Sequence, residues 1–314
     1  MTDGIFTLDS SLADLPRHQW LDAVEQIVDE DGHIEALGRQ HHAIFFEEGA
    51  NLIVSFETLQ GIQVLSDLAQ PLGWDMLREG GWSSLCLASN GDTWFRDPAV
   101  YAYFDRMVDD GFFDEFENVV FYGAGPCGYA AAAFSVASPG ARVMLIQPQA
   151  TLDPRVTEWD DRFADMRRTD FTSRYGYAPE MLDAADRAFV LYDPRQTLDA
   201  MHAALFTRPN VEKFRLRFMG DALQTDLLEM GIWTPLIDAA GDGTLDAAAF
   251  ARLYRARREH RPYLRNLLDA LEPTGREALI EALCRNVGTR IRGRRFVARL
   301  QQLKAARTAA AQQG

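Results

Sequence analysis

Apolar positions near the start of the chain recur at helical spacing. Trp20, Leu21, Val24, Ile27 and Val28 share one face of a helix predicted over 16–30, with Pro16 near its start. The period then changes. HAIFF (42–46) and NLIVSF (51–56) are short apolar runs joined by the turn EEGA, and both read as strands. SLCLAS (84–89) reads as a buried strand ended by NGD. DPAVYAYFDRMVDDG (97–111) has the marks of a helix, with Asp97 as N-cap, Pro98 at the first position and Gly111 as the stop. VVFY (119–122) follows, then a glycine-rich turn, an alanine-rich helix to about Ser138 and the strand ARVMLI (141–146). Beyond a long polar and aromatic stretch, AFVLY (188–192) is a strand and TLDAMHAALF (197–206) a helix. KFRLRF (213–218) alternates as a last strand, with the helix ALQTDLLEMG (222–231) behind it. Strands alternating with helices predict a three-layer α/β/α fold on a mostly parallel sheet. After Trp233 the pattern is helical and rich in arginine. The organisation expected is a helical segment at 1–40, an α/β domain at 41–232 with a candidate cap at 155–187, and a basic helical extension at 233–314.

Composition narrows the function classes. No apolar run in the 314 residues approaches the roughly 18 that a membrane span needs. The acidic N-terminal stretch has no basic region of the secretory type. Cys86, Cys127 and Cys284 are far apart and odd in number, which suits reduced thiols and a cytoplasmic setting. The net charge of −14 is unevenly spread. Residues 241–314 hold 15 basic and 7 acidic side chains, leaving 17 basic and 39 acidic in residues 1–240. So acidic a body disfavours nucleic acid as the main ligand. The basic stretch 285–307 is the exception: it reads as a helix face docking on the acidic body or on a second copy, with anionic lipid or RNA as the sharper alternative.

The chemistry turns on GAGPCG (123–128), between VVFY and the alanine-rich helix. Literally it is G-x-G-x-x-G. On that reading Gly123, Gly125 and Gly128 admit a pyrophosphate to the helix N-terminus, and FAD or NAD(P) is the implied cofactor. The stretch is similar to the GAGPAG turn of FAD-binding oxidoreductases, and Gly220–Asp221 resembles their distal ribityl-binding pair. The second strand of such a unit should end in an acid for the ribose, however, and Gln147 stands there. The turn also comes about 120 residues into the chain, after several strands.

Read as a nucleophile elbow, the stretch fits its surroundings better. Residues 42–232 resemble uncharacterised bacterial α/β-hydrolase-like proteins associated with surface-polysaccharide biosynthesis. Their elbow runs Y-G-x-S-x-G-G-Y-A-A, and a P-Q-x-x-L-D-P loop follows. Here Tyr122 to Ala131 correspond to the elbow, with Gly125 at its serine and Cys127 at one of its glycines, and Pro148, Gln149, Leu152, Asp153 and Pro154 match the loop. The departures fall on the chemistry. The resemblance puts the nucleophile at Gly125, which has no side chain, and an oxyanion N–H at Pro126, which has none. It puts the histidine at Asp221, which cannot serve as the neutral base a serine needs. Only the acid, at Asp193 or Asp199, remains. The resemblance therefore implies a disarmed site that binds a small ligand or a protein partner, and no standard serine esterase.

A thiol could stand in for the serine. Cys127 lies at the helix N-terminus, where the dipole lowers a thiol pKa, and Gly128 could donate an N–H. That would make the chain a Cys-dependent acyl transferase. A small thiol packing helix on strand is the simpler account. His202, inside a helix, has no metal-ligand spacing, and His18, His33 and His260 are isolated. In the cap, Trp159, Arg167, Arg168, Arg174, Tyr175 and Tyr177 are candidates to line a pocket for an anionic or sugar-like ligand. Trp94 and Phe95 are expected in the core.

Overall fold

A computed structural model describes residues 6–291 and 293–313. Its centre is an eight-stranded sheet: β1 (Gly32–Leu37), β2 (His41–Phe46), β3 (Asn51–Thr58), β4 (Ser83–Ser89), β5 (Asn118–Ala124), β6 (Arg142–Ile146), β7 (Arg187–Tyr192) and β8 (Val211–Arg215). The order across the sheet is β1-β2-β4-β3-β5-β6-β7-β8. β2 runs antiparallel to β1 and β4, and every later pairing is parallel. This is the α/β-hydrolase-like, three-layer arrangement expected from the sequence.

Fourteen α-helices are described. They are α1 (Arg17–Val28), α2 (Leu59–Leu65), α3 (Gly73–Gly80), α4 (Pro98–Asp109), α5 (Pro126–Phe134), α6 (Pro154–Thr157), α7 (Ala178–Met181), α8 (Thr197–Leu205), α9 (Leu223–Glu229), α10 (Trp233–Gly241), α11 (Ala247–Leu253), α12 (Arg261–Leu271), α13 (Glu277–Arg290) and α14 (Arg294–Gln313). One face of the sheet packs on α4, α5 and α8 through an aromatic core that includes Phe56, Phe104, Phe121 and Phe134. The other face has two cores. Trp20, Val24 and Trp74 join α1 and α3 to β2 and β4. Trp233, Ile237 and Phe250 bring α10 and α11 onto β5–β8. α12, α13 and α14 have a small core of their own around Leu264, Leu268, Ile280, Cys284, Val287, Phe296 and Leu303.

Several expectations shift in detail. EEGA joins β2 to β3, but the two strands do not pair, because β4 lies between them. A parallel β3–β4 pair needs a crossover, and α2 and α3 supply it from a stretch whose glycines blur the helical period. β1 was not anticipated. The last strand ends at Arg215, earlier than the alternation suggested, and the chain turns off at Phe218 with φ 70°. The stretch 155–187 forms single helical turns. Arg96 pins it by donating from Nε to the Asp170 carbonyl at 2.9 Å. Trp94 and Phe95 are core residues, as expected. Both take left-handed φ values, 57° and 55°, and Trp94 meets Phe163 and Phe171 edge-on. The division drawn at residue 232 falls between α9 and α10, and both of these helices pack on the sheet.

Candidate functional site

β5 ends at Ala124 and α5 begins at Pro126, so one residue makes the whole turn. Gly125 does this at φ 56° and ψ −127°, a conformation that disfavours any residue with a Cβ. Its N–H stays with the sheet, donating to Ile146 O at 2.8 Å, while its carbonyl accepts the Tyr129 N–H at 3.0 Å and starts the helix. Gly123 is obligatory for a different reason: a Cβ there would overlap the Cys127 carbonyl. At Gly128 a Cβ would press on Gly123 O at 3.1 Å and on Pro148 Cβ at 3.2 Å. These two glycines thus serve close packing of helix on strand. Gly125 faces open space instead, with Gln149 Oε1 at 3.9 Å the nearest atom a Cβ would meet.

That space is a polar cleft of about 320 Å³, lined among others by Gly125, Gln147, Gln149, Arg162, Asp199 and Asp221. Gln147 sits at the end of β6 with φ 47°. Its Nε2 donates to Asp199 Oδ2 at 2.8 Å, and its Oε1 accepts the Leu223 N–H at 3.2 Å. Arg162 donates to Asp199 Oδ1 at 2.6 Å and to Asp160 Oδ2 at 2.8 Å. Burial pushes the Asp160 carboxyl up, but hydrogen bonds from Arg162 and His202 outweigh it and hold the group below its ordinary value. Gln149 donates from Nε2 to Gln147 O at 3.2 Å, which aims its Oε1 away from that carbonyl. This oxygen is buried and lacks a hydrogen-bond donor among the described residues.

Asp193, expected as the acid, and Asp221, expected at the histidine position, line one common cleft. Asp193, 1% exposed, accepts the Arg195 N–H at Oδ1 and the Gly220 N–H at Oδ2, both at 2.9 Å. Both carboxylate oxygens are thus engaged by backbone amides. Exposed Asp221 lies on the rim between the cleft over Gly125 and a neighbouring one of about 640 Å³, which Asp193 also lines. Gly220, half of the candidate ribityl pair, uses its amide on Asp193.

Cys127 was expected either as a reactive thiol or, more simply, as a small thiol packing helix on strand. The helix N-terminus was expected to lower its pKa, but burial, reinforced by the charges of Glu57 and Asp92, pushes the thiol up. It is packed in the aromatic core, and among the described residues no histidine hydrogen-bonds to it. His202 is buried with a fixed role. Its Nδ1 accepts the Ala150 N–H at 3.1 Å, so Nε2 carries the proton and donates to Asp160 at 2.9 Å. Burial, opposed by Asp160, holds its pKa below the ordinary value. Trp159 lies against its ring, 4.7 Å between centroids, away from the cleft lining. Arg174 pairs with Asp105, and Tyr175 is buried against Phe134. From the stretch 155–187 the described side chain that reaches the cleft is Arg162, which no sequence signal singled out; the Arg167 side chain lies outside the described ones. The sequence signal that did exist was PQ at 148–149, whose glutamine lines the cleft.

No protein-family model matches the chain, and no curated protein matches it. Solved structures do. The chain is similar to Est1E from Butyrivibrio proteoclasticus at 12% identity, covering 67% of this chain and 98% of that one, with a TM-score of 0.41. It is similar to carboxyl esterase 2 from the fungus Tuber melanosporum at 14% identity, covering 82% and 91%, with a TM-score of 0.42. A capsule O-acetyltransferase of Neisseria meningitidis serogroup A gives 10% identity, 65% and 93% coverage and a TM-score of 0.40. At such identities no residue role passes from these proteins to this chain.

Proposed function

We propose that this chain is an α/β-hydrolase-like protein without serine-hydrolase chemistry, and that it binds a small polar, carbohydrate-like ligand in the cleft over Gly125. The observation that carries the reading is Gly125 itself. It has the sharp strand-to-helix backbone that an elbow requires, it faces the cleft, and it has no atom with which to attack a carbonyl. Pro126 has no N–H to offer an oxyanion, and both Asp193 oxygens are held by amides. The ligand class follows from the lining. Side-chain amides, carboxylates and one guanidinium suit a polyol, whose hydroxyls donate and accept in turn. Gln149 Oε1 is an acceptor waiting for such a donor. The resemblance of residues 122–131 and 148–154 to polysaccharide-associated proteins agrees with a sugar. A dinucleotide suits the cleft less well. Gly123 and Gly128 serve internal packing, Pro126 lacks a donor for phosphate, and Asp199 and Asp221 would repel a pyrophosphate.

The test has two arms on the full chain. A fluorophosphonate probe and p-nitrophenyl acetate should give neither labelling nor turnover above background. Saturation-transfer NMR with a panel of neutral and acidic saccharides should give contacts that Gln149→Ala weakens. Labelling by the probe, or an FAD or NAD(P) mass retained in native mass spectrometry, would overturn the proposal.

A further inference from the structure

A second set of polar side chains lies where the α/β body meets the helical extension. Asp226 and Glu229 stand one turn apart on α9, and His260 is the residue just before α12. His260 Nε2 is 2.8 Å from Asp226 Oδ1, and its Nδ1 is 3.9 Å from Glu229 Oε2. One ligand atom from each of the three lies within 4.8 Å of the other two. Two further observations point to a missing bonding partner. Asp226 is 4% exposed, yet its Oδ2 accepts no hydrogen bond among the described residues. The nearby Tyr254 hydroxyl, also buried, likewise has no partner among them. Burial chiefly, with Asp193 and Asp226 among the charges acting on it, pushes that phenol up. A buried carboxylate oxygen left unpaired is costly unless something cationic or protic fills the gap.

We infer that Asp226, Glu229 and His260 form a binding site for a first-row divalent cation, zinc or manganese, which clamps α12 of the helical extension to α9 of the α/β body. One imidazole nitrogen with two carboxylate oxygens is a borderline donor set of the kind these ions take, and it leaves coordination positions for water. Calcium and magnesium, which prefer oxygen ligands throughout, fit less well. The ion replaces the proton between His260 Nε2 and Asp226. Metal–ligand bonds of about 2.1 Å hold donor atoms about 3.0–3.4 Å apart, so the 2.8 Å between His260 Nε2 and Asp226 Oδ1 widens slightly as the ion enters. Glu229, whose side chain is 58% exposed, closes the set from the solvent side. Entry is open, because Glu229 and His260 line a cleft of about 650 Å³ and Asp226 borders the one of about 640 Å³.

The full chain, stripped with EDTA, is titrated with zinc chloride and with manganese chloride by calorimetry, and its melting temperature is followed in parallel. About one ion per chain should bind, and the melting temperature should rise, since the ion binds only the folded form. Glu229→Gln, an exposed isosteric change, should weaken binding about tenfold or more, and His260→Gln should abolish it. If His260→Gln unfolds the chain by circular dichroism, Glu229→Gln decides alone. No binding of either ion, or binding that Glu229→Gln leaves unchanged, would overturn the inference.

Discussion

At Glu57 the chain puts a carboxyl group inside the sheet, near the end of β3. It accepts from Ser55 Oγ at 2.7 Å and from the Leu72 N–H at 3.1 Å, with the Cys86 thiol 3.6 Å away. Burial raises its pKa to about 7, against those hydrogen bonds and with a small addition from Asp75. The sign of the effect on stability follows from linkage. In the unfolded chain the group ionises near 4.5, so between that pH and about 7 the folded form holds a proton that the unfolded form has released. Its contribution is therefore most favourable below the unfolded value and is lost as pH rises through 7. Glu57→Gln should raise stability at pH 8 by roughly 3 kcal/mol at most and have little effect at pH 5. Urea unfolding of both proteins at the two pH values checks this; an equal difference at both would refute it. Nothing in the sequence marks this glutamate. It follows the apolar run NLIVSF at a strand end, where a charged side chain ordinarily meets water. Gly125 and Pro126 were legible, because their meaning lies in what their side chains lack. Arg162 was not, since Asp199, the partner that holds it at the cleft, lies 37 residues away in sequence.

Between elements, backbone approach decides more than propensity does. Gly241 closes α10 against Trp82, which is 3% exposed, and a Cβ at this position would overlap the indole ring. On helix propensity alone, Gly241→Ala should stabilise by up to about 1 kcal/mol. Packing argues for the opposite sign, because a buried tryptophan in a filled core cannot retreat without cost. We expect Gly241→Ala to destabilise by about 1–3 kcal/mol. Thermal melts should show the loss, accompanied by a changed near-ultraviolet tryptophan signal; a stabilised variant would mean that α10 can shift freely. The same distinction explains what was legible at this scale. Strands with continuous apolar runs, such as VVFY and AFVLY, and the capped helix after Asp97 declare themselves locally. The neighbours of a strand do not, since EEGA reads as a hairpin turn while β4 inserts between β2 and β3.

For the molecule as a whole, stability is unevenly distributed. The sheet is enclosed by three buried clusters, whereas α12–α14 share one small core of seven buried residues. Exposed ion pairs add little there. Amides of α13 and α14 should therefore exchange with solvent well before those of β3–β7. Hydrogen-exchange mass spectrometry would show it, and uniform protection would contradict the separate core. The basic stretch 285–307 was expected to dock on the acidic body or on a second copy. Five of its arginines pair with carboxylates of their own region: Arg285 and Arg307 with Glu281, Arg290 with Glu259, Arg295 with Asp269, and Arg299 with Glu272. The body keeps its excess of acid uncancelled, and the helical region keeps a net positive charge of its own. The protein is thus an electric dipole on the scale of the whole molecule. Within the roughly 8 Å over which physiological salt lets charges act, that dipole exerts a torque on each encounter. On charge alone, the helical side favours a negatively charged surface and the acidic body a cationic one.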